Sequence, residues 1–119
     1  MTQGIVLFAH GSRDPLWHKP MEAVAECIRQ REPGAQVACA YLELSQPDLP
    51  TCAAELIAGG VDGIRIVPMF LGVGKHARED LPQLVQALRL AHPAVVFELQ
   101  KAVGEDPRLV ETLAHIATS

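Results

Sequence analysis

Three residues suited to metal and proton chemistry, His10, Glu43 and His76, follow one another at equal separations of 33 residues in a chain of 119. Neutral imidazole is a good ligand for divalent transition metals, and its unperturbed pKa of about 6.5 lets it take a proton near neutrality. A carboxylate adds charge compensation. About thirty residues is the length of one strand–helix repeat in a parallel α/β domain. The carboxyl ends of parallel strands share one edge of the sheet, where such folds build their sites. The spacing therefore predicts two imidazoles and a carboxylate on a common rim. Such a set leaves coordination positions open, unlike a closed four-ligand zinc site.

Each candidate sits in a segment with its own chemistry. His10 lies in LFAHGSRDP (residues 7–15), where Gly11 permits a sharp turn and Ser12, Arg13 and Asp14 supply a hydroxyl, a cation and an anion. The plain alternative is a turn whose Asp14 caps the next helix. Glu43 lies in AYLELSQPDLP (40–50) after largely apolar residues, and a solvated glutamate opening a loop is its plain alternative. Tyr41 and Leu42 read as packing residues. VPMFLGVGKHAREDLP (67–82) is the most specific segment. Gly72 and Gly74 let the backbone approach a ligand, and Lys75, His76 and Arg78 gather donors before a helix. Its G-x-G pair is not a dinucleotide fingerprint, because the third glycine is missing. A phosphate cradle at the helix start stays open, and Glu79 reads as an ordinary charged first-turn residue. His18 reads as a solvated or capping residue. His92 and His115 fall at helix ends, where imidazolium suits the dipole. Met69 and Phe70 fit the core or the flank of a flat ligand.

The elements that must position these residues are legible in the hydrophobic pattern. Apolar runs at 5–9, 37–42, 63–69 and 95–99 predict four buried strands. Between them, Met21, Val24, Ala25 and Ile28 make one helical stripe that ends before Pro33-Gly34. Asp48 caps a helix running through Leu56 and Ile57 to Gly59-Gly60. A third helix carries Leu81, Leu84, Val85 and Leu88, with Pro82 expected in its first turn. The last, 107–116, is expected to turn Leu109, Val110 and Leu113 inward. Strict alternation predicts an α/β fold: a single domain, 1–119, with a four-stranded parallel sheet flanked by helices and right-handed crossovers.

Composition narrows the function. A net charge of −4 and pI near 5.7 argue against a general nucleic-acid partner, which needs a basic face. Cys27, Cys39 and Cys52 form no C-x-x-C pair and suit a reducing compartment, as small core residues. No apolar run is long enough to span a bilayer, and no signal segment follows Met1. A cytoplasmic protein without a membrane partner is expected.

With these residues in place, the whole chain resembles the short form of the CbiX/SirB chelatases of the class II chelatase superfamily, which insert a divalent metal into sirohydrochlorin. The resemblance lies in HGSR (10–13), LE-x-x-x-P (42–47), P-x-F-L-x-x-G-x-H-x-x-x-D-x-P (68–82) and, more weakly, V-G-x-D-P (103–107). It implies half of the two-domain class II fold, and a homodimer whose second subunit completes the cleft. It implies His10 and His76 as principal metal-binding and proton-accepting residues, with Glu43 as acidic partner. The metal is then a substrate, Co2+ foremost with Fe2+ or Ni2+ as alternatives, and no tightly bound cofactor is expected. The tetrapyrrole bears many carboxylates, which Arg13, Lys75 and Arg78 can anchor and Ser12 can hydrogen-bond. Two rivals differ in class. A metal or tetrapyrrole carrier would bind without turnover. A phosphate-handling enzyme with His10 as nucleophile and Arg13 as clamp needs more arginines near His10 than this chain offers.

Overall fold

The four apolar runs form parallel strands β1 (Gln3–Ala9), β2 (Gln36–Tyr41), β3 (Gly63–Pro68) and β4 (Val96–Leu99) in a computed structural model that describes residues 3–119. They pair in the order β2-β1-β3-β4. Helices α1 (Lys19–Arg31), α2 (Leu49–Ala58), α3 (Lys75–Ala91) and α4 (Pro107–Thr118) follow the strands in turn. The chain steps from β1 to β2 on one side, then crosses back to β3 on the other. The gap between β1 and β3 is therefore the topological switch point, where open α/β sheets take their ligands.

Period-2 alternation divides the strand side chains between two layers. Val6 and Phe8 join Ala40, Ile64, Ile66 and Phe97 under α2 and α3, which contribute Leu49, Cys52, Leu56, Leu81, Val85 and Leu88. Leu7 and Ala9 join Val37 and Tyr41 under α1, which contributes Met21 and Ala25. Central β1, with a neighbour on each side, buries every residue from Val6 to Ala9. The start of α2 is set by Asp48, whose carboxylate accepts the Thr51 N–H at 2.8 Å. The Thr51 side chain first, and then this backbone bond, hold its carboxyl below the usual range.

Three expectations need correction. Helix α3 starts at Lys75 on an N-cap Gly74, so Pro82 lies in its interior and not in the first turn. Pro82 and Arg78 are both solvent-exposed, so the Arg78 carbonyl left without a partner faces the side where water is available. Helix α4 buries none of its residues, and Val110, Leu113 and Ile116 are 54%, 39% and 65% exposed. The uncovered part of the sheet carries the Arg65–Glu98 ion pair (3.3 Å) rather than an apolar seat. Finally, Cys27 is exposed, whereas Cys52 is buried and its thiol is pushed up to about 12 by that burial.

Candidate functional site

The β1–β2 ladder continues past the strand ends. Leu42 N–H donates to the Ala9 carbonyl at 2.9 Å, and Glu43 N–H to the His10 carbonyl at 3.0 Å. His10 and Glu43 are thus joined through their backbones. Gly11 has a φ of +102°, and a Cβ there would overlap the Glu43 carbonyl oxygen. Conformation and close approach both demand glycine. The exposed His10 ring lies over Phe70, with centroids 4.4 Å apart. Phe70 is 2% exposed and meets Phe8 edge-on at 6.1 Å, so the imidazole rests on the core across the switch point. Phe70 is a core residue.

Sequence reasoning passed over Ser45. Its Oγ donates to the Ser12 carbonyl at 2.7 Å, accepts the Ser12 N–H at 3.0 Å, and lies 2.9 Å from His18 Nε2. The available signal was the separation of Ser12 from Ser45, the same 33 residues that separate His10 from Glu43. His18 occupies the N-cap position of α1 without capping it. Asp14 instead caps the 3-10 turn Pro15–His18, accepting from Leu16 N–H at 2.9 Å.

After β3, Met69 N–H donates to the Phe8 carbonyl at 2.7 Å, and Gly104 N–H donates to the Phe70 carbonyl at 3.0 Å. A Cβ on Gly104 would overlap the Leu71 carbonyl, so the turn after β4 is pressed against this loop. Lys75, His76 and Arg78 are exposed in the first turn of α3, which holds no acidic residue. Cations at a helix N-terminus oppose the macrodipole by roughly 0.3–1 kcal/mol each, a penalty that a bound anion reverses. Among the described residues Arg13, Lys75 and Arg78 form no ion pair.

His10 and Glu43 follow the carboxyl ends of β1 and β2, His76 stands in the first turn of α3, the helix reached from β3, and all three are exposed. Among the described residues no group of three or more His, Cys, Asp or Glu side chains lies close enough to hold one ion. Around them stand exposed apolar side chains: Leu16 (63%), Trp17 (37%), Leu42 (39%), Leu44 (53%) and Leu71 (68%). Apolar surface gathered on one rim marks a contact face. Beside it, a groove of about 530 Å³ is lined by Phe8, Leu42, Asp48, Asp80 and Leu84, and by none of the three donor residues. Tyr41, beneath the rim, is pushed up to about 12 chiefly by burial and stays a phenol.

A family model described as CbiX matches residues 4–118. The chain belongs to the CbiX family. Within it, the sirohydrochlorin cobaltochelatase of Methanothermobacter thermautotrophicus is 35% identical over 82 residues, covering 69% of this chain and 57% of that protein. The sirohydrochlorin ferrochelatase of Bacillus subtilis is 26% identical over 115 residues, covering 97% of this chain and 44% of its own. The chain spans little more than half the length of the first relative and less than half of the second. Among solved structures, a protein of Marinobacter aquaeolei VT8 described as a CbiX protein of cobalamin (vitamin B12) biosynthesis superposes with a TM-score of 0.84 at 33% identity, covering 98% of this chain and 94% of that one. The four-stranded parallel sheet with its helices is therefore a CbiX fold, and no described helix is long and apolar enough to cross a membrane.

Proposed function

We propose that this CbiX-family chain is a cytoplasmic sirohydrochlorin chelatase that inserts a divalent metal, Co2+ foremost and Fe2+ or Ni2+ as alternatives, in cobalamin or sirohaem biosynthesis. The observation that carries this reading is the shared rim. Residues able to ligate a metal and take protons follow β1, β2 and β3, ringed by exposed Leu and Trp side chains. A flat macrocycle with an acidic periphery fits such a rim: apolar contact below its plane, cations at its edge.

Insertion exchanges two pyrrole protons for one divalent cation. His10 and His76 are the catalytic residues, presenting the metal and accepting protons, and Glu43 offsets the metal's charge or passes a proton on. The metal is a substrate and must leave, so donors that are not preassembled into a closed cage suit the task. Phe70 beneath His10 denies water one face of the imidazole. Arg13, Lys75 and Arg78, free of competing ion pairs among the described residues, anchor peripheral carboxylates. The Ser12 hydroxyl accepts the Asp14 N–H at 3.1 Å, which leaves its own proton for a substrate carboxylate. A second copy of the chain closes the cleft, supported by the uncovered apolar face of α4.

The test is anaerobic mixing of protein, sirohydrochlorin and Co2+, Fe2+ or Ni2+, followed by visible absorption against a protein-free control. Multiple turnovers are expected, with His10→Ala and His76→Ala each slower by at least about a hundredfold while the fold is retained. Stoichiometric binding without turnover would make the protein a carrier. Wild-type rates in both variants would overturn the residue assignment.

A further inference from the structure

We propose that Ser45, backed by His18, is a positioning residue whose hydroxyl locks the His10 turn to the Glu43 loop; its catalytic role rests on the chelatase reading above. Among the described residues, backbone hydrogen bonds between these loops end at Glu43 N–H and the His10 carbonyl. Two residues further along each loop, Ser45 Oγ takes over by bonding both the N–H and the carbonyl of Ser12. The segments His10–Ser12 and Glu43–Ser45 are thus tied at both ends. His10 and Glu43 form one end of a ring that the Ser45 hydroxyl closes at the other.

The proton inventory defines the part played by His18. A serine hydroxyl has one proton and two acceptor lone pairs. Its proton goes to the Ser12 carbonyl, which can only accept, and one lone pair takes the Ser12 N–H. The remaining lone pair must accept from His18 Nε2, 2.9 Å away, so that nitrogen carries a proton. All three hydrogen-bonding positions of Ser45 are filled. His18 is itself held, packed at a 38° tilt against Tyr41 with centroids 5.0 Å apart and meeting Trp17 edge-on at 5.6 Å. Tyr41 is 4% exposed and packs in the layer under α1, so the clasp is fixed to the core. Inside the ring, Leu44 is kept at a φ of +64°. Such strain persists where the surroundings over-determine the backbone.

The test compares Ser45→Ala, His18→Leu and His18→Gln with wild type in Co2+ insertion, alongside residue-resolved amide exchange by NMR. The Gln amide N–H can donate as the imidazole N–H does. In Ser45→Ala, exchange at the Ser12 and Glu43 amides is expected to quicken about tenfold while core β1 amides such as Leu7 are unchanged. Its kcat should fall about tenfold to a hundredfold, a larger factor than the rise in KM for sirohydrochlorin that follows from loosening the Ser12 and Arg13 anchors. His18→Leu should follow it and His18→Gln should recover most of kcat. Unchanged kcat in Ser45→Ala, equal losses in both His18 variants, or core amides opening in step with Ser12 would overturn the proposal. A wild-type chain without turnover overturns the chelatase reading and with it the catalytic role, while exchange at Ser12 and Glu43 still decides whether the clasp holds the loops.

Discussion

Leu44 occupies the left-handed region, which costs an L-residue with a Cβ roughly 1–2 kcal/mol, whereas Asn tolerates it. Leu44→Asn is therefore expected to raise the urea midpoint, by up to about 1 kcal/mol of unfolding free energy. It also removes an exposed apolar side chain from the rim, so KM for sirohydrochlorin should rise in the same variant. Gain in stability with unchanged KM would remove Leu44 from the contact face. At Gly11 the sign reverses. A Cβ would meet the Glu43 carbonyl at a φ few side chains accept, so Gly11→Ala should destabilise by about 1–3 kcal/mol and part His10 from Glu43. Denaturant unfolding measures the first effect, and loss of insertion the second.

Among the elements, α4 offers the clearest pH dependence. Its N-cap Asp106 accepts the Arg108 N–H at 2.9 Å and is held at about 2, first by the Arg108 side-chain hydrogen bonds and then by that backbone bond. A folded pKa below the unfolded carboxylate value of about 3.9 gives stability that is fully present above pH ~4. It is lost as the pH falls toward ~2. Asp106→Ala should fray α4 at pH 7, read by far-UV circular dichroism, and the difference from wild type should close across that window. Element positions were largely legible in the sequence, because a strand buried on both faces shows as an unbroken apolar run and Asp48 and Gly59 bracket α2. That His10, Glu43 and His76 follow β1, β2 and β3 in turn was legible from strand pattern and repeat length, whereas among the described residues their side chains do not gather into one ligand group. Pro82 misled the placement of α3, since the first turn is its usual home and the true N-cap, Gly74, has no side chain to announce it. Periodicity also identifies an apolar stripe without naming what covers it, which is why Leu109, Val110 and Leu113 were expected to face inward. The Ser45 clasp depends on a hydroxyl reaching across two loops, and no local pattern encodes that.

At the scale of the whole molecule, the radius of gyration is 14.5 Å and the extents are 46 × 34 × 29 Å. A compact chain of this length is expected near ~13.5 Å. The excess matches an α4 that buries none of its residues. If α4 is the seat of a second copy, Leu113→Glu and Ile116→Glu each place a charge in that contact, at about 2 kcal/mol or more per chain. Sedimentation should then show monomer where wild type shows dimer, with insertion slowed and the unfolding of the sheet domain little changed. A wild-type monomer that turns over fully would leave the cleft to a single chain. One further consequence concerns β4, the strand that ends without a donor residue. Because the backbone of Gly104 is seated directly on Leu71, the far border of the sheet acts as a doorstop for the segment leading to His76. Lengthening the 3-10 turn at 103–105 by a single residue would slacken that stop and let the lip swing.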